Sequence, residues 1–278
     1  MLTIEDHRRD SAGLRYVYPV VSRRAGGVSV GINLNVNNAC NWACVYCQVD
    51  GLVRGGPPPV DLDLLEAELS GFLAEALDGN FMEREVPEGA RRLVDVAFSG
   101  NGEPTSAPEF ADAVARVGSV LERRELAGRL PLRLITNGSL LHRPDVRRGI
   151  ALIGDCSGEV WFKFDRALPS EAAAVNGVPL DPARVARNLA LCADIAPTWV
   201  QTCWFAMDGQ VPDAVSRATY CDALRPLAGR LAGVHLYGLA RASLQPGASR
   251  LSRLSKAELA AFAAQIRETT GLAVTVSP

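Results

Sequence analysis

Short apolar, β-branched runs alternate with longer stretches of helical spacing along most of this 278-residue chain, and that alternation constrains its fold more than any other feature. Runs at 28–34, 93–98, 132–135, 160–164, 199–205 and 234–237 read as strands, and 61–77, 108–126, 144–153, 181–193 and 212–227 read as helices. The segment 51–59, rich in Gly and Pro, reads as a loop, and Asp61 gives the first helix an acidic start. A helix at 256–269 and an edge strand at 272–276 close the pattern.

Parallel strands joined by helical crossovers bury both faces of a sheet and turn with one hand. Six such units in series predict an α/β fold, a partial (β/α)6 TIM-like open barrel short of the eight strands that close a full one. With no linker dividing the chain, we expect an N-terminal extension at 1–27, a core at 28–240, and a C-terminal helix and edge strand at 241–278 belonging to the same domain. At 48% hydrophobic residues the chain can bury a large core, and no apolar run approaches the length of a membrane span. The expectation is a cytoplasmic protein without a membrane partner. A net charge of −2 neither predicts nor forbids nucleic acid. The basic residues are almost all arginine, which makes Lys163 and Lys256 conspicuous.

In barrels of this kind chemistry lies in the loops after the strands. The first such loop holds Cys40, Cys44 and Cys47 within eight positions. A structural zinc wants four ligands, yet the nearest downstream cysteine is Cys156 and the histidines are His7, His142 and His235. A disulfide framework expects a short secreted chain with an even cysteine count, and this chain has seven cysteines and no signal peptide. Three thiolates suit a four-iron cubane, whose fourth iron would then be free to bind something other than protein. The remaining cysteines, Cys156, Cys192, Cys203 and Cys221, are scattered and read as buried structural thiols, with Cys203 on a strand as the one worth testing.

The second loop runs Ser99-Gly100-Asn101-Gly102-Glu103-Pro104, where two glycines let backbone amides approach a ligand and Glu103 presents a carboxylate. A Cys-x-x-x-Cys-x-x-Cys run after the first strand with an aromatic before its last cysteine, followed by a Gly-rich Glu-Pro loop after the second, resembles the radical S-adenosylmethionine (radical SAM) superfamily. The resemblance implies one [4Fe-4S] cluster on Cys40, Cys44 and Cys47. Its open iron would be chelated by S-adenosylmethionine, and one electron would cleave that cofactor to a 5′-deoxyadenosyl radical that takes hydrogen from a substrate. Oxygen sensitivity and a reducing partner such as flavodoxin or ferredoxin follow from the same resemblance.

Residue by residue, Tyr46 matches the aromatic position beside the adenine, and Gly100, Asn101, Gly102 and Glu103 match the loop that takes the methionine amino group. Asn101 stands where the family often has a second consecutive glycine. Thr136-Asn137-Gly138 resembles a recurring polar turn, which makes Asn137 a further cofactor-binding candidate. In Trp161-Phe162-Lys163-Phe164-Asp165, two charges in a buried aromatic strand are costly unless placed near its exit, where they share a face. Either they pair with each other, or Lys163 binds the cofactor carboxylate or a substrate anion and Asp165 a hydroxyl or amine. Catalytic candidates are therefore Lys163, Asp165 and Cys203. Gln201, His235, Tyr237 and Arg241 lie on or after the last two strands as cavity-lining candidates.

The order of motifs is similar to the branch of the family that contains the tRNA wyosine-base synthases. Those synthases carry a second cluster on cysteines ahead of the main triplet, and no cysteine precedes Cys40. A small-molecule or natural-product substrate is thus the first expectation. RNA base modification, activation of a glycyl-radical partner protein, and a non-catalytic iron–sulfur or zinc binding module are the alternatives.

Overall fold

In the computed structural model, residues 2–3, 12–22 and 26–277 are described. They form two compact units interleaved along the sequence, one from residues 1–41, 55–136 and 143–160, the other from 42–54, 137–142 and 161–278.

The first unit is built on strands β1 (Val17–Ser22), β2 (Gly27–Ile32), β3 (Leu93–Phe98) and β4 (Leu132–Thr136), hydrogen-bonded in that order. β1 runs antiparallel to β2 with Val17 opposite Ile32. β2 and β3 run parallel with Val30 opposite Val96, as do β3 and β4 with Val96 opposite Leu132. Every residue of β2 is buried, as a strand covered on both faces must be. The expected strand at 28–34 is this one, starting one residue earlier. β1 lies within the segment expected as an extension, and its six residues at 17–22 carry their own strand signal in Val17, Val20 and Val21.

Helix α1 (Leu62–Leu77) starts where the sequence predicts, because Asp61 accepts the Leu64 N–H at 3.0 Å as an N-cap. It buries Leu65, Leu69, Phe72, Leu73 and Ala76, spaced at three and four residues on one face. A short helix α2 (Phe81–Glu85) follows, and α3 (Phe110–Arg123) buries Phe110, Val114, Val117 and Leu121 in the same rhythm. Helix α4 (Pro144–Asp155) opens on a proline at its first turn, where the missing N–H costs nothing.

Strand β5 (Glu159–Lys163) begins in the first unit and ends in the second. The second unit continues with α5 (Pro169–Asn176), α6 (Pro182–Ile195), β6 (Thr198–Cys203), α7 (Ala214–Leu224), β7 (Gly233–Tyr237), α8 (Lys256–Thr270) and β8 (Val274–Ser277). β7 pairs in parallel with β6, Gly233 opposite Trp199, and with β8, Val234 opposite Val274. Ser255 and Glu258 close a reciprocal capping box on α8, and left-handed Gly271 ends it. The edge strand expected at 272–276 is β8, which starts two residues later and ends one residue later. Helix α5 was not expected, although Pro169 at its first turn and Asn176-Gly177 at its end are ordinary start and stop signals. Among the described residues no helix is long and apolar enough to cross a membrane.

Candidate functional site

In the first unit the loop after β3 and the C-terminal end of β4 meet at Glu103. Its side chain is 3% exposed, and a carboxylate that deep needs donors. One oxygen, Oε1, accepts from the Thr105 N–H at 3.2 Å, the Thr105 hydroxyl at 2.6 Å and the Thr136 hydroxyl at 2.6 Å. Glu103 thereby caps the short turn Pro104–Ser106 and ties it to the end of β4.

Two asparagines that the sequence reading passed over organise the same loop. Asn33, 3% exposed, accepts at Oδ1 from the Asn35 and Asn101 N–H groups, both at 3.1 Å. Asn35, 1% exposed, donates from Nδ2 to the Ala39 carbonyl at 2.9 Å and the Ser106 hydroxyl at 3.3 Å. Asn101 donates to Asn38 Oδ1 at 2.7 Å. Gly102 sits so close that a Cβ there would fall 2.1 Å from the Ala39 carbonyl oxygen, which leaves glycine as the only fit. The Asn33-x-Asn35 pair directly after a buried strand was the signal available for this role. Cys40 ends this stretch half-buried, its thiol 3.9 Å from Asn41 Oδ1.

In the second unit the organising acid is Asp165, 2% exposed. Oδ2 accepts from the Tyr46 hydroxyl at 2.5 Å and Asn176 Nδ2 at 2.9 Å, and Oδ1 from the Cys203 N–H at 2.8 Å. Burial first, and then the charge of Asp165, push the Tyr46 phenol well above its usual range, so it remains a donor. The Lys163 ammonium lies 4.9 Å from the centre of the Tyr46 ring and 3.5 Å from the Tyr237 hydroxyl. Burial opposes its charge, but the acidic groups around it, Asp165 among them, outweigh that effect and hold the amine above its ordinary value. Lys163 and Asp165 do not form a direct ion pair among the described residues. Instead each faces a ring of partners drawn from distant parts of the chain.

Tyr46, Lys163, Asp165, Cys203 and Tyr237 are thus brought together with Cys44. Asn176, on the unexpected helix α5, donates to Cys44 Sγ at 3.5 Å. Burial, partly offset by the nearby Lys163 charge, pushes the Cys44 thiol up to about 12. Burial likewise raises Cys203, with Asp165 adding to it. The cysteine segment is held from two directions. Val175 and Asn176 accept the Val45 and Ala43 N–H groups at 2.8 and 3.0 Å. On the other flank the Ser243 hydroxyl donates to the Val45 carbonyl at 2.7 Å, and Gln245 Nε2 to the Val49 carbonyl at 2.7 Å.

The remaining candidates have surroundings of their own. Asn137 accepts the Ser139 N–H at 3.0 Å and shapes a turn. His235 stacks on Trp199 at 4.4 Å and leans on Trp161 at 4.7 Å. Cys192, Cys203 and Cys221 are buried, and Cys156 is half-buried. Arg166, which the sequence reading missed, is 4% exposed, donates to the carbonyls of Asp165, Cys203 and Phe205, and lies 4.1 Å from the centre of the Trp204 ring. Among the described residues no group of three or more His, Cys, Asp or Glu side chains stands in metal-binding geometry. Cys40 belongs to the first unit, Cys44 and Cys47 to the second.

No protein-family model matches the sequence. Among curated proteins, "GTPase Obg" of Brachyspira hyodysenteriae (strain ATCC 49526 / WA1) is 28% identical over 137 residues, 49% of this chain and 17% of that protein. The chain therefore spans about a sixth of that relative's length. Solved structures give a broader likeness. The structure of TYW1 with a lysine-pyruvate adduct bound matches with a TM-score of 0.57 at 13% identity, over 95% of this chain and 78% of that one. A radical SAM methyltransferase from Sphaerobacter thermophilus matches with 0.57 at 16%, over 94% and 68%. The FeFe-hydrogenase maturase HydG from Carboxydothermus hydrogenoformans matches with 0.53 at 14%, over 90% and 53%. The α/β partial-barrel fold expected from the sequence is the fold of these radical SAM structures.

Proposed function

We propose that this chain is a radical SAM enzyme acting on a small molecule or natural-product precursor. One observation carries the reading: a Cys-x-x-x-Cys-x-x-Cys run follows a buried parallel strand in a chain with the fold of radical SAM structures. The donor set suits one [4Fe-4S] cluster, since three thiols lie within eight positions and Cys44 already receives an N–H from a buried amide. When bound, that cluster supplies the electron that cleaves S-adenosylmethionine to a hydrogen-abstracting radical.

The chain's own residues then have distinct tasks. Cys40, Cys44 and Cys47 ligate iron. By the resemblance, Gly100, Asn101, Gly102 and Glu103 serve the cofactor's methionine end and Tyr46 its adenine. Glu103 also shapes the loop, since its Oε1 accepts from Thr105 and Thr136. Lys163 supplies a half-buried positive charge for an anionic group, and Asp165 fixes Tyr46 through the 2.5 Å hydrogen bond. Lys163, Asp165 and Cys203 remain the catalytic candidates, Asn137 a cofactor contact. A reducing cytoplasmic setting and a flavodoxin- or ferredoxin-type donor suit a thiolate-bound cluster.

RNA base modification is the second reading, favoured by the likeness to TYW1 across 95% of this chain. Anaerobic reconstitution with iron and sulfide tests the proposal. The expected result is cluster absorbance and, on reduction with S-adenosylmethionine, 5′-deoxyadenosine, with both lost in Cys44→Ala. A wild-type protein that gives neither sinks the radical reading. With a cluster in place, comparing candidate small metabolites with tRNA for substrate-dependent 5′-deoxyadenosine separates the two substrate classes.

A further inference from the structure

The Asn176 amide has two N–H bonds and two acceptors: Cys44 Sγ at 3.5 Å and Asp165 Oδ2 at 2.9 Å. Asn176 is 1% exposed, so neither bond is shared with bulk water. We propose that Asn176 is a positioning residue that orients Cys44 and sets the reduction potential of the cluster it ligates; this rests on the radical SAM reading above.

Four features support it. Asn176 is held from both sides of its own backbone: its carbonyl accepts the Ala43 N–H at 3.0 Å, and the next residue, Gly177, adopts the left-handed conformation at φ +66° that ends α5. A Cβ on Gly177 would stand 2.5 Å from the Ala43 carbonyl oxygen, so helix end and cysteine segment are fitted to each other at contact distance. The amide oxygen and nitrogen are not interchangeable here, because an Oδ1 turned toward Asp165 would face a carboxylate. That fixes the N–H face toward Cys44. Finally, Asp165 is anchored independently by Cys203 N–H and Tyr46, so it holds the amide rather than following it.

A hydrogen bond donated to a ligating sulfur stabilises the extra negative charge of the reduced cluster and raises its potential. Removing it makes reduction harder. The test uses the reconstituted chain in a potentiometric titration followed by electron paramagnetic resonance, comparing wild type, Asn176→Ala and Asn176→Leu; leucine keeps the branched shape without an N–H. The expected result is full iron and sulfide content with a reduced-to-oxidised ratio at fixed potential lowered by about three- to tenfold, the worth of one such bond. An unchanged ratio in a fully loaded variant overturns the inference while leaving the radical reading intact. Loss of the cluster from both variants with a wild-type circular dichroism spectrum also overturns it, in favour of a purely structural residue. If wild type takes up no cluster, both this inference and the reading beneath it fall.

Discussion

Glu103 and Asp165 are equally buried carboxylates, at 3% and 2% exposure, yet they are satisfied in opposite ways. At its Oε1, Glu103 accepts from the N–H and hydroxyl of Thr105, two residues away, and from the Thr136 hydroxyl. Asp165 takes a hydroxyl from 119 residues upstream, an amide from 11 downstream and a backbone N–H from 38 downstream. The first is a loop that folds around its own carboxylate. The second is a junction that exists only when the cysteine segment, β5, α5 and β6 have all arrived. Local satisfaction makes the loop tolerant, whereas the junction concentrates loss in any one member.

The comparison is broken most directly by deleting each acid. Asp165→Ala strands the Tyr46 hydroxyl, Asn176 amide and Cys203 N–H and removes the negative charge near Lys163. We expect a loss of about 3–5 kcal/mol in urea unfolding. Glu103→Ala should cost about 2–3 kcal/mol, because two threonine hydroxyls can re-aim, and Glu103→Gln, which keeps Oε1 as an acceptor, about 1 kcal/mol or less. A Glu103→Ala variant more damaged than Asp165→Ala would show that the Asp165 junction is no more fragile than the Glu103 loop.

Gly177→Ala sharpens the junction side. A left-handed alanine and a Cβ 2.5 Å from the Ala43 oxygen should cost about 1–2 kcal/mol and lower iron uptake, read as iron per chain after reconstitution. Asp61→Ala is the matched local control in the first unit: losing the cap of α1 should cost about 1 kcal/mol with no change in iron uptake.

The smallest effects belong to surface carboxylates, one in each unit. Hydrogen bonds from Arg116 hold Glu66 below its usual range, and those from Arg250 do the same for Asp208. A depressed folded value means each contributes only above the unfolded value, roughly pH 4, and loses that contribution as pH falls through the folded one. Glu66→Gln and Asp208→Asn should therefore differ slightly from wild type at pH 7 and converge with it in acid, as chemical denaturation at several pH values will report. Neither should alter the junction.

Legibility followed the same division. The strand and helix order was readable because each element carries its own periodicity, and the start of α1 was readable at Asp61 because a cap acts over three residues. Cys40, Cys44 and Cys47 stand out as candidate ligands by their spacing alone. Asn176 was invisible for two reasons: α5 is a single short helix whose alanine-rich run Ala172-Ala173-Ala174 gives little amphipathic signal, and an asparagine before a glycine reads as a turn. Arg166 was hidden by its neighbours, since nothing in Asp165-Arg166-Ala167 says that the guanidinium will be spent on backbone carbonyls of 203 and 205.

What the sequence by itself determined is the periodic pattern of a half-open βα fold, three thiols at ligand spacing and a glycine-rich second loop, because each of these is written within a few residues. Only the tertiary structure decided that Asp165 gathers Tyr46, Asn176 and Cys203, and that Asn176 reaches Cys44. Hydrogen bonds are directional and short, and which groups come within 3 Å of a buried carboxylate depends on how strands far apart in sequence are laid side by side.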